Sequence, residues 1–188
     1  MRLLNLEKPK SKIIEFDDLE TFEHSKCKPL SVTLAVEHKT RRILDFEVSQ
    51  MPAKGKLVGI AFRKYGPRKD HRFQGRSNLF SRLQKLVVED AEIKSDENPH
   101  YPHTVRTYFP QATHVSFKGQ RGSITGQGEL KRVRFDPLFS LNHTCAMFRA
   151  NVNRLFRKTW CTTKKPERLS AHLSIYALYH NILLIKET

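Results

Sequence analysis

The run Ile13-Ile14-Glu15-Phe16-Asp17-Asp18-Leu19-Glu20-Thr21-Phe22 constrains this chain more than any other stretch. Its apolar members, Ile13, Ile14, Phe16, Leu19 and Phe22, read as a buried strand, yet carboxylates sit among them. A carboxylate carried into a core is costly unless it is paired or binds a cation. One reading makes Asp17 and Asp18 turn caps at a strand end. The other places a cation ligand on a central strand and requires further ligands elsewhere. Both faces of the strand carry apolar residues, so patterning leaves open which of the two aspartates faces such a site.

Two alternating segments follow. Leu30, Val32, Leu34 and Val36 interleave with polar residues and Ala35, and Leu44, Phe46 and Val48 interleave with Asp45, Glu47 and Ser49. Period-two alternation is the mark of half-buried strands, so residues 13–49 read as a three-stranded antiparallel meander. Residues 51–74 read as a long connection with Pro52, Gly55, Gly66 and Pro67. A helix is predicted over 78–88, with Leu79, Leu83, Leu86 and Val87 on one face. Ala91 to Ser95 reads as a short strand delivering Asp96, and Pro102 opens a helix that Pro110 ends. Thr113 to Lys118 is a further strand.

Residues 119–128 hold four glycines but lack the Gly-Lys-Ser/Thr ending of a phosphate-binding loop, so no nucleotide site is expected there. A helix is predicted from Ser140 to about Trp160. Its core stripe is Leu141, Cys145, Phe148, Val152 and Leu155, and a second stripe a quarter turn away is Asn142, Ala146, Arg149 and Asn153. A last helix turns Leu169, Leu173, Tyr176, Ala177, His180, Leu183 and Leu184 inward.

With 188 residues, one domain spanning 1–188 is the natural count, long enough to build a core without disulfides. Cys27, Cys145 and Cys161 form no CxxC pair, which argues against a disulfide framework and against a zinc site. No segment reads as a signal peptide or membrane span, so an intracellular setting is expected. Lys and Arg total 34 against 19 Asp and Glu, a net charge of +15. Such an excess points to a polyanionic partner, with nucleic acid the commonest. The cations cluster. Arg63, Lys64, Arg68 and Lys69 lie in the long connection, Lys131, Arg132 and Arg134 follow the glycine-rich run, and Arg149, Arg157 and Lys158 lie on or near the long helix. These are the candidate DNA-phosphate contacts.

Three antiparallel strands, a helix, a strand ending in Asp, a helix, a fifth strand and a long helix make up a ribonuclease H-like order. That is an α/β fold whose mixed sheet, three antiparallel strands followed by parallel ones, is flanked by helices. The first and fourth strands then lie side by side, and Asp17 can meet Asp96. Two such carboxylates repel unless a divalent cation lies between them, and hard oxygen ligands select Mg2+ or Mn2+. Two ions about 4 Å apart could activate a water or a 3′-hydroxyl for attack on a phosphodiester.

Four blocks carry a family resemblance: Phe16-Asp17-Asp18-Leu19-Glu20-Thr21-Phe22-Glu23-His24, Met51-Pro52-Ala53-Lys54-Gly55, Ser95-Asp96-Glu97-Asn98-Pro99-His100-Tyr101-Pro102 and Arg154-Leu155-Phe156-Arg157-Lys158-Thr159-Trp160. Together they resemble the catalytic part of bacterial insertion-sequence transposases with an acidic metal triad, over roughly residues 13–181. The resemblance implies hydrolysis at transposon ends and transfer of the freed 3′-hydroxyl to target DNA. It also implies a homo-oligomer on double-stranded DNA in the bacterial cytoplasm. By the motif, Asp17 and Asp96 are the first two catalytic and metal ligands. The family places a Glu seven residues before a basic residue in the long helix; Arg149 fits the basic position, and Asn142 stands where the Glu would be. Asn142 is therefore the expected third ligand, and Glu129 the alternative. Relatives of this type begin with a DNA-end-binding region, which the early position of Asp17 leads one to expect is lacking here. The competing readings are a DNA-binding remnant that no longer cuts and a ribonuclease H-like nuclease acting on free nucleic acid.

Overall fold

The computed structural model describes residues 5–118, 136–155 and 162–185. Alternating β-branched and aromatic residues build β1 (Ser11–Phe22), β2 (Pro29–Glu37) and β3 (Ile43–Gln50) as an antiparallel meander. The chain then crosses to β4 (Val87–Asp96), which pairs parallel with β1, and to β5 (Thr113–Phe117), parallel with β4. The strand order β3-β2-β1-β4-β5 is the ribonuclease H-like arrangement. β1 is thus the central strand, flanked on both sides, and the C-terminal ends of β1, β3 and β4 lie at the same end of the sheet.

Five helices are described: α1 (Val58–Tyr65), α2 (Arg72–Leu83), α3 (Tyr101–Tyr108), α4 (Phe139–Asn151) and α5 (Pro166–Tyr179). α2 and α3 cover one face, where Phe16, Ile93, Phe80 and Tyr101 share a core. α4 and α5 cover the other, packing Phe148 and Leu173 against Leu19, Leu34 and Phe46. α2 comes close to β3. A Cβ on Gly75 would lie 1.9 Å from Ser49 Oγ, so glycine is what lets the two elements meet. That approach also brings Arg82 to Glu47, with Nη2 donating to Oε2 at 2.7 Å, and onto Asp45.

Several boundaries differ from the sequence reading, each for a local reason. The connection after β3 is not all loop, because it contains α1. Its apolar spacing, Val58, Ala61, Phe62 and Tyr65, is helical, yet only Ala61 is buried. α2 starts at Arg72 rather than Asn78, since the Asp70 carboxylate accepts the Arg72 N–H at 3.1 Å and serves the open helix end. It stops at Leu83, and Val87 and Val88 begin β4 instead of ending a helix. α4 ends at Asn151, not near Trp160; Val152 is extended and Asn153–Leu155 form a 3-10 turn. Val152 and Leu155 still reach the same core as Phe148, which is why their spacing mimicked a longer helix. Beyond α5, a π-turn over His180–Leu184 widens the helix, and Leu183 and Leu184 face outward while His180 is buried. The glycine-rich run, Glu129, Lys131, Arg132, Arg134, Arg157 and Lys158 lie outside the described residues.

Candidate active site

The strand pleat settles which aspartate faces which side. Side chains on a strand alternate, so Glu15 and Leu19 look toward α4 and α5 and Phe16 and Asp18 toward α2, while Asp17, on the Glu15 side by alternation, turns its Oδ1 to Tyr101 at the start of α3. Asp17 lies within β1, not at a turn. Asp18 accepts a hydrogen bond from Thr33 Oγ1, and its Oδ2 is 3.8 Å from Arg76 Nη1. The parallel ladder pairs Glu15 with Lys94. Two residues further along each strand, on that same face, come Asp17 and Asp96. The two acids are thereby neighbours, and Asp96 raises the pKa of Asp17 through charge repulsion.

Burial is the larger cause. Together, burial and Asp96 push Asp17 up to about 7. Asp96 is also raised, first by burial and then by the charges of Asp18 and Glu97. Tyr101, at the start of α3, donates its hydroxyl to Asp17 Oδ1 at 2.9 Å, and the Asp18 N–H donates to the same oxygen at 2.6 Å. Asp17 Oδ2 has no hydrogen-bond partner among the described residues. Burial and the surrounding acids raise the Tyr101 pKa well above its ordinary value, so its hydroxyl stays protonated and keeps donating. Asp96 Oδ1 accepts the Asn98 N–H at 3.0 Å, which fixes the turn after β4.

α4 has no side-chain cap from Leu138. Its first turn is served from the sheet: Glu15, fully buried, accepts the Leu141 N–H at 2.8 Å. His38 hydrogen-bonds the other Glu15 oxygen, and Lys94 Nζ lies 3.5 Å from His38 Nε2. Glu15 therefore anchors the turn that carries Asn142. Replacing Glu15 by Gln removes the charged acceptor but keeps its shape, and it is expected to cost about 2 kcal/mol in urea unfolding. Amide exchange at Leu141 should rise with it. Unchanged exchange there would mean that Glu15 does not hold the helix.

The structure brings Asp17 and Asp96 together but shows no contact of either with Asn142. The Asn142 amide nitrogen donates to Asp136 Oδ2 at 2.9 Å, and its carbonyl oxygen, the atom able to ligate a cation, has no hydrogen-bond partner among the described residues. Among those residues, no three His, Cys, Asp or Glu side chains form a metal-binding group. Arg149 is exposed on α4. His114 bonds Ser95 Oγ at 2.9 Å beside Phe16, on the sheet face away from Asp17, which is a structural role. Arg63, Lys64 and Lys69 are exposed, whereas Arg68 is tied to Glu23 Oε2 at 3.2 Å and to the Met51 carbonyl at 3.1 Å.

Sequence reading missed Glu15, His38, Arg76 and Tyr101. Glu15 had a signal: it stands two residues before Asp17, on the same face of the same strand. Tyr101 stood in the Ser95–Pro102 block without a role assigned to it and Arg76 gave no signal, because each reaches its aspartate only through the packing of its helix on the sheet.

No family model matches this chain, and no curated protein matches it. Among solved structures it is similar to one titled as a cryo-electron microscopy structure of the simian T-cell lymphotropic virus intasome in complex with PP2A regulatory subunit B56 gamma. The TM-score is 0.40 and the identity 12%, over 93% of this chain and 50% of that chain. The chain thus spans about half of that structure's chain.

Proposed function

We propose that this chain is the catalytic part of a DNA transposase of the acidic-triad type, cutting and joining DNA with Mg2+ or Mn2+. One observation carries the reading: two half-buried carboxylates on adjacent parallel strands, each two residues beyond the Glu15–Lys94 pair of the ladder, with Asp17 raised to about 7 by burial and by Asp96. Two acids so placed are unfavourable without a cation and suited to one.

Carboxylate and amide oxygens are the donors that a hard cation takes. Asp17 through its free Oδ2 and Asp96 would hold it, and the Asn142 carbonyl would be the third protein donor. When bound, the cation supplies an activated water or 3′-hydroxyl and stabilises the leaving oxygen. The chain's own groups orient the acids and the DNA. Tyr101 fixes the rotamer of Asp17, Glu15 fixes the start of α4, and cations beyond the sheet end hold phosphates. Hydrolysis breaks a P–O3′ bond, leaving a 3′-hydroxyl and a 5′-phosphate. In transfer, that hydroxyl forms a new P–O bond to target DNA as a target 3′ oxygen leaves.

A second reading, a DNA-binding remnant that no longer cuts, has its own support. The third position holds an amide whose nitrogen is engaged with Asp136. The experiment incubates the protein with labelled DNA of the element's ends and Mg2+ or Mn2+, and follows nicks bearing 3′-hydroxyls and joined products. Metal-dependent nicking and joining is the expected result. Salt-dependent binding with no product under either metal would establish the remnant. Cleavage confined to RNA strands would establish a nuclease instead.

A further inference from the structure

α1 is an eight-residue helix that the fold hardly uses. Of its residues only Ala61 is buried. Val58 and Phe62 lie one turn apart on the same side, 52% and 62% exposed. Phe73, in the first turn of α2, is 59% exposed. Large apolar side chains left in water side by side, as Val58 and Phe62 are, mark a binding surface.

The surroundings are cationic. Between residues 54 and 73 stand seven Lys and Arg and one acid, Asp70. Three of the seven are committed to acids: Lys54 to Glu20, Arg68 to Glu23 and Arg72 to Asp70. Lys64 lies over the Tyr65 ring, 5.4 Å from its centroid. Lys56, Arg63 and Lys69 have no ion-pair partner among the described residues. Position adds a further constraint. β3 runs parallel to β1 within the sheet, so the chain leaves β3 toward α1 at the end reached by the C-terminal ends of β1 and β4, level with Thr21 on β1 and on the same side as Asp96 at the end of β4.

We infer that α1 binds an unpaired stretch of DNA at the sheet end where β4 presents Asp96, Phe62 stacking on a base and Arg63, Lys64 and Lys69 contacting phosphates. This rests on the proposed function for its substrate class. The charge favours DNA over a second copy of this chain, because a two-fold contact would press one cationic surface against its twin. The aromatic ring favours unpaired over paired bases. A stacked duplex hides its base faces, and an exposed ring in a cationic groove is how single strands are held.

The test measures fluorescence anisotropy of a labelled single-stranded oligonucleotide and of the same sequence as a duplex, without metal, across a salt series. Phe62→Ala should weaken single-strand binding about tenfold or more. It should leave duplex binding within about twofold and the salt slope unchanged. Phe62→Trp should restore the affinity. Arg63→Gln, Lys64→Gln and Lys69→Gln combined should weaken both and flatten the slope. Because Phe62 is exposed, the melting temperature of Phe62→Ala should match wild type, which separates lost stacking from lost folding. Equal weakening of single strand and duplex, or no change in either, would overturn the inference. So would a fall in solution mass on Phe62→Ala, which would make the ridge a contact between copies. Binding without metal does not require cutting. An inactive wild-type protein that shows the Phe62 effect would defeat the transposase reading and leave this surface standing; an active one without the effect would do the reverse.

Discussion

Asp17→Asn and Asp96→Asn are each expected to lower metal-dependent strand cleavage about thousandfold or more, because each removes an anionic oxygen that cation binding requires. DNA affinity should stay within about twofold of wild type or rise slightly, since a negative charge leaves a cationic protein. Asp18→Asn is the internal contrast. Asp18 faces α2 and sits against Thr33 and Arg76, so its loss should cost stability before it costs chemistry. Cleavage that survives Asp17→Asn but not Asp18→Asn would reverse the assignment of the two faces.

The same aspartate should govern stability in metal-free protein. Folding raises the Asp17 pKa from the ordinary 3.8 to about 7. Below pH 3.8 both folded and unfolded chains hold that proton, and Asp17 has no differential effect. As pH rises toward 7, the unfolded chain releases the proton while the folded chain keeps it. Stability therefore falls through that window and is flat above it. The full penalty is about 4 kcal/mol at pH 8. Asp17→Asn should remove it, raising the melting temperature by roughly 10 °C at pH 8 and by little at pH 4. Glu37 and Asp70 have depressed pKa values, from Arg42 and Arg72 respectively, and lose stability as pH falls, so the difference between variant and wild type is the quantity to follow. Mg2+ should stabilise wild type at pH 8 and leave Asp17→Asn almost unmoved. A variant no more stable than wild type at pH 8 would mean that Asp17 ionises freely in the folded chain.

Much of the fold was legible because its signals are local. Alternation in residues 30–48 marks two strands whatever surrounds them, and Pro102 marks the first turn of α3. Asp17 and Asp96 were legible as a pair once the strands were placed in order, since parallel neighbours bring equal depths of two strands together. α1 carries a helical apolar spacing, Val58, Ala61, Phe62 and Tyr65, but the flanking glycines, prolines and cations made residues 51–74 read as a connection, and the stripe is left almost wholly exposed. The end of α4 was hidden for the opposite reason: Leu155 reaches the core from a 3-10 turn and so continues a helical spacing without a helix. The faces of Asp17 and Asp18 could not be separated by patterning, because the central strand is buried on both sides. Only the ladder with β4 and the position of Arg76 distinguish them. Glu15 illustrates a related limit, as its partner Leu141 lies 126 residues away and no local rule links them.

The central claim is that Asp17 and Asp96 share one divalent cation. The most direct measurement is the carboxyl NMR titration of Asp17, without and with saturating Mg2+, in wild type and in Asp96→Asn. The account predicts a midpoint of about 7 in wild type without Mg2+. With Mg2+ the midpoint should fall below about 5, and in Asp96→Asn most of that cation effect should vanish. A metal-free midpoint near 4 that ignores Mg2+, or a Mg2+ shift that persists undiminished in Asp96→Asn, would contradict it.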